Sequence, residues 1–191
     1  MARYFALSEV GNSIINLLRD NMCPELIQNR DMILLCSPFD KNDFVLSLHL
    51  YDIQENGSFR NVNMINLDNE RQQYPSISLT LYYMISVNIG RDIKSKAVDE
   101  QRILGRTMQI LHDSPVIENS KLGNSFDEGE EPLKVVLNNL TFDEKIKLWS
   151  ASNSPIKLAL YYTVSPVLIE STRIKTTKRV VDMDLIIKKK D

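Results

Sequence analysis

The chain has 191 residues, 43% of them hydrophobic and 25% charged, the balance of an ordinary globular protein that buries roughly 70% of its unfolded surface. A formal charge of −2 and a pI near 5.8 offer no general attraction to phosphate backbones, which nucleic-acid-binding domains obtain from an excess of Lys and Arg. No apolar run approaches the roughly 18 residues that span a bilayer, so neither nucleic acid nor membrane is an expected partner.

The amino terminus, MARYFALSEVGNSIINLLRD, has no continuous apolar stretch followed by a small-residue cleavage site, and folding in the cytoplasm is expected. Val10, Ile14, Ile15, Leu17 and Leu18 share one stripe of a helix over about 8–20, with Ser8 as its cap. Cys23 and Cys36 are the only cysteines, and without a C-x-x-C spacing two idle thiols are expected. A short apolar run at 32–36 reads as one strand and 43–53 as another, since Phe44, Leu46, Leu48 and Leu50 alternate with Val45, Ser47, His49 and Tyr51.

Residues 54–75 are rich in Asn, Gly, Ser, Asp, Arg and Gln, which predicts a long exposed loop with one edge segment near 62–67. The clearest period-two signal follows: Ile77, Leu79, Leu81, Tyr83, Ile85, Val87 and Ile89 share one parity against Ser76, Ser78, Thr80, Tyr82, Met84, Ser86 and Asn88. One face should be buried and the other mostly polar. A second helix is expected over 96–112 with Ile103, Leu104, Met108 and Leu111 inward, ending before Ser114-Pro115.

An exposed loop over 118–132 contains Asp127, Glu128, Glu130 and Glu131. After a short strand at 133–137, Thr141 and Glu144 form a capping box, opening a helix with Phe142, Ile146 and Trp149 on one side. Trp149 is read as a core plug. A strand over 156–169 alternates until Pro166, which suggests a sheet edge or a bulge. The last strand, 179–187, sets Val181, Met183, Leu185 and Ile187 against Asp182 and Asp184, with Lys178, Arg179 and Lys188 to Lys190 making the segment basic.

Leu48-His49-Leu50-Tyr51, Leu79-Thr80-Leu81-Tyr82 and Leu158-Ala159-Leu160-Tyr161 share an L-x-L-Y pattern at irregular spacing, so they are not solenoid repeats. They are expected to be neighbouring long strands whose leucines face the helices and whose tyrosines occupy the opposite face. The elements together predict an α/β (α+β) fold: a single mixed, mostly antiparallel sheet packed with about three helices.

Catalytic equipment is sparse. The two histidines, His49 and His112, have no second His, Cys or carboxylate at metal-ligand spacing. The six glycines form no phosphate loop, dinucleotide fingerprint or serine elbow. No catalytic, metal-binding or cofactor-binding residue is assigned. A carboxylate enzyme would need several of Asp52, Asp99, Glu100, Asp113 and Glu118 to converge on a pocket. A generic protein-binding adaptor or assembly chaperone is the other rival.

The order of LSLHLYDIQENGSFRN, YPSISLTLYYMIS, ILGRTMQILHDSP, LTFDEKIKLWSAS and LALYYTVSPVLIES behind the N-terminal helix resembles the tail-terminator, or cap, family of extracellular contractile injection systems. The resemblance implies one cap domain spanning the chain and a homo-oligomer, a hexameric ring, at the end of the sheath and inner tube distal to the baseplate. It further implies sheath, inner-tube and tape-measure proteins as partners, no cofactor, and assembly in the cytoplasm before release in a particle. Candidate interface residues are Val181, Met183, Leu185 and Ile187 for strand addition to a neighbouring subunit or the sheath. The acidic Asp127, Glu128, Glu130 and Glu131 facing the basic Lys178 and Arg179 of a neighbour are further candidates, as is the loop 56–74 with Arg60.

Overall fold

The computed structural model describes residues 4–40, 43–57, 63–89, 96–117, 131–152 and 154–176. A six-stranded sheet in the order β1-β2-β5-β8-β7-β6 forms its centre, from β1 (Ile33–Leu35), β2 (Leu46–Glu55), β5 (Ile77–Val87), β8 (Ala159–Ile169), β7 (Leu133–Leu137) and β6 (Val116–Ile117). Only β1 and β2 run parallel; every other neighbouring pair in this sheet is antiparallel. A second sheet, β3 (Ile65–Asn66), β4 (Arg71–Gln73) and β9 (Ile174–Thr176), adjoins its lower end, where Tyr74 N donates to Arg173 O. The three helices are α1 (Ala6–Met22), α2 (Lys96–Asp113) and α3 (Phe142–Ser150).

The period-two alternation sorts side chains between two faces. Leu48, Leu81, Tyr83, Ile85 and Val164 join Val10, Ile14 and Leu18 of α1 and Ile103, Leu104 and Leu111 of α2 in the main core. Gly11 allows α1 to approach closely, because a Cβ there would lie 3.0 Å from Leu35 Cδ1. Arg19 then ties the helix to the sheet, its Nε and Nη2 both donating to Ile33 O at 3.2 and 2.8 Å.

The opposite face carries a smaller core of Met84, Trp149 and Tyr161, with Phe39, Tyr51 and Leu140 packed around it. The Trp149 indole donates to the Tyr161 hydroxyl at 3.1 Å, and the Phe39 ring meets Trp149 edge-on at 5.3 Å. The face expected to be mostly polar therefore also holds a small aromatic core. Met84 is buried within it, and the hydroxyl of Ser86, also buried, is satisfied by that of Ser47 at 2.8 Å.

The L-x-L-Y strands are neighbours, as expected, and Tyr51, Tyr82 and Tyr161 share the α3 face, with Tyr51 6.1 Å from both other rings. Leu158 departs from the pattern: it precedes β8 and is 59% exposed. Pro166 lies at a bulge, where two β8 residues, Ser165 and Pro166, fall between partners of Leu79 and Leu81. Because β8 is flanked by β5 and β7, the bulge and not an edge position accommodates the missing amide.

Other differences have local causes. Helix α1 starts at Ala6 behind Phe5, without a side-chain cap; Ser8 lies inside its first turn and donates to Phe5 O. Met108 is 40% exposed, whereas Thr107 and Ile110 face inward. Thr107 can be buried because its hydroxyl donates to Ile103 O at 2.8 Å. The Thr141–Glu144 capping box is present, but Phe142 is 67% exposed and Ile146 is exposed too, so only the last turn of α3 rests on the sheet. Strand β4 interrupts the expected 54–75 loop and β9 lies on exposed residues, both too short for a legible alternation. The expected strand at 179–187 and most of the acidic loop lie outside the described residues.

Trp149→Ala removes the largest member of the smaller core and leaves the Tyr161 hydroxyl without its donor. It is expected to cost about 3–5 kcal/mol, measured by urea unfolding, and Thr141→Ala only about 1 kcal/mol.

Candidate functional site

Among the described residues the candidate carboxylates do not gather. Asp99 and Asp113 sit in opposite end turns of α2, about 21 Å apart at 1.5 Å per residue. Arg102 lies 3.5 Å from Asp99 and Lys96 lies 3.8 Å from Glu100. Asp52 is on β2, where its carboxylate accepts from Ile53 N and Gln54 Nε2, and Glu118 lies outside the described residues. Among the described residues no group of three or more His, Cys, Asp or Glu is placed to hold a metal ion, and no helix is long and apolar enough to cross a membrane.

The shifted groups are structural. Burial holds His49 below the usual histidine range, opposed by the nearby Asp40 carboxylate, and the Phe39 ring stands edge-on to it at 6.5 Å. Burial pushes the Tyr51 phenol up to about 12 and also raises Tyr83 and Tyr161. Each tyrosine is therefore a neutral packing group at physiological pH. Cys23 and Cys36 are free thiols raised by burial, which lowers their nucleophilicity.

What the surface does offer is apolar area and main chain. Phe142, Ile156 and Leu158 line one shallow depression beside α3. Met108, His112, Val136 and Leu137 line a groove of about 560 Å3 between α2 and β7, with Val136 55% exposed. Strand β1 covers the outer flank of β2 only through Leu48.

Of the expected interface residues only Glu131 is described, and it is exposed at the start of the segment leading into β7. Arg60, Asp127, Glu128, Glu130, Lys178, Arg179, Val181, Met183, Leu185 and Ile187 lie outside the described residues. The flank of β2 that lacks a partner among the described residues was missed from sequence, because strand alternation reports which face is buried and not which flank has a partner.

The sequence matches the Pvc16 N-terminal domain over residues 9–182. The chain belongs to this family. Among solved structures, the family fold is shared with the sheath/tube terminator of PVC, an extracellular contractile injection system, in its extended state, at a TM-score of 0.67 and 15% identity over 96% of this chain and 64% of that one. It is shared too with the tube-terminating cap of the anti-feeding prophage, at a TM-score of 0.60 and 16% identity over 93% of this chain and 60% of that one. The chain thus spans less than two thirds of either structure's length. No curated protein matches it.

Because the folded state disfavours a proton on His49, stability is complete above the ordinary pKa near 6.5. It falls as the pH drops below that value, where the unfolded chain takes up the proton first. The urea midpoint is expected to decline between pH 7 and 5.5, and His49→Gln to flatten the decline; an identical slope in the variant would remove His49 as its source.

Proposed function

We propose that this chain is a structural capping subunit of a contractile injection system, which ends the sheath and inner tube distal to the baseplate. The observation that carries the reading is the family match across residues 9–182, joined to a fold shared with two terminator caps. The scattered, locally paired carboxylates and the exposed apolar and main-chain surfaces support it, since a cap needs to bind polymer ends and has no bond to break.

A cap that stops a tube closes on itself. We take the whole chain as one cap domain forming a hexameric ring through a repeated head-to-tail contact, which for a stable interface buries on the order of 800 Å2 per partner. Val181, Met183, Leu185 and Ile187 supply an extended strand whose main chain pairs with a neighbouring subunit or the sheath. Asp127, Glu128, Glu130 and Glu131 of one subunit face Lys178 and Arg179 of the next, and Arg60 contributes from the loop 56–74; these charges set register more than affinity. Sheath, inner-tube and tape-measure proteins are the partners of the assembled ring. The subunit folds in the cytoplasm and leaves within the particle, and the ring needs no cofactor and catalyses nothing.

Electron microscopy of the chain mixed with its tube and sheath subunits is expected to show six-fold rings and particles of bounded length. Subunits that neither close nor limit polymer length in that mixture would contradict the cap role. Truncation after Thr177 is expected to abolish ring and sheath attachment while leaving the melting temperature within a few degrees; unimpaired assembly by the truncated chain would remove the terminal strand from the mechanism.

A further inference from the structure

We propose that the outer flank of β2, residues 49–54, receives residues 181–187 of a second copy of this chain as an added strand. The proposal rests on the ring reading above and supplies the receiving surface for its terminal strand.

Strand β1 accompanies β2 only from Leu46 to Leu48, and the last bond on that side is Cys36 N to Leu48 O at 3.1 Å. The chain then turns away at Ser37, whose amide donates to the Asp40 carboxylate. Beyond Leu48, β2 pairs among the described residues only with β5, on its other flank. A flank of this length presents main-chain donors and acceptors that a further strand can satisfy. The register shift between Leu50 and Asp52 divides it, so the incoming strand makes two short ladders, one on each side of the bulge.

A groove of about 290 Å3 runs beside this flank, lined by Leu7 of α1 and by Leu35, Cys36, Leu48, Leu50 and Tyr83. Leu35 and Ile53 are 43% and 42% exposed, apolar area left partly in water. The Tyr83 hydroxyl is buried in the groove wall without a hydrogen-bond partner, an uncommon state for a buried polar atom. The flank therefore offers apolar contacts, main-chain bonds and one unsatisfied hydroxyl together.

Residues 181–187 fit in pattern and length: Val181, Met183, Leu185 and Ile187 alternate with Asp182, Asp184 and Ile186. One parity can fill the groove while the aspartates stay in water. The direction of the chain favours delivery to another copy. Ile174 pairs with Gln73, close to the start of β5, whereas Thr176 pairs with Arg71, two residues farther away. Strand β9 thus carries the chain away from its own large sheet. A strand handed to the next copy is a heterologous contact, the kind that closes a ring.

The test is directed disulfide formation in full-length chain with Cys23→Ser and Cys36→Ala. Chains carrying Ile53→Cys are mixed with size-tagged chains carrying Met183→Cys or Leu185→Cys, with tube and sheath subunits present, and oxidised. Covalent heterodimers are expected in at least one register, reduced at least tenfold by excess synthetic peptide of residues 179–191. With Ile53→Cys and Leu185→Cys on one chain, cross-linking confined to single chains would overturn the proposal. So would six-fold rings that cross-link in neither register, an outcome that spares the cap reading. Absence of both rings and cross-links, in chains with unchanged melting curves, would overturn both.

Discussion

The constraint on which the structure depends is the antiparallel pairing of β5 with β2 on one side and β8 on the other. These three strands are the longest in the large sheet, and their alternation requires every second side chain to find cover on the same face. Helices α1 and α2 cover the face carrying Leu48, Leu81, Tyr83 and Val164; α3 covers the face carrying Met84 and Tyr161. The two faces have different characters. The first is aliphatic and extensive, while the second is a small aromatic cluster that a nine-residue helix closes with one buried tryptophan.

The same pairing determines what remains for other molecules. With the faces covered, the main chain of the large sheet left without a strand neighbour among the described residues lies along β2 beyond Leu48 and along β7 beyond Val135, beside α2. Main-chain groups at a strand margin bond any extended peptide, so selectivity comes from the flanking apolar grooves. That division suits the proposed capping role, in which identical partners would present the same segment each time.

Charge has a minor part in holding the chain together. The ion pairs Arg30–Asp20, Arg71–Asp68, Lys96–Glu100 and Arg102–Asp99 lie at the surface and join near neighbours, a class worth roughly 0–1 kcal/mol each. Asp68 shows the local character of such contacts. It accepts from Glu70 N, Arg71 N and Arg71 Nε, which shapes the β3–β4 turn and holds its carboxyl below the usual range.

By itself the sequence determined the elements whose physics is local. The stripe of α1, the alternation of β5, the capping box of α3 and the kinship of the three L-x-L-Y strands depend on periods of two or 3.6 and on side chains within a few positions. The order of its longer segments also carried the family likeness. Tertiary structure alone decided which flank of β2 lacks a neighbour among the described residues, that Trp149 of α3 packs with Met84, and that Thr107 takes the inward place expected of Met108. Those outcomes depend on contacts between residues far apart in the chain, and a one-dimensional pattern records how a side chain alternates but not what it meets.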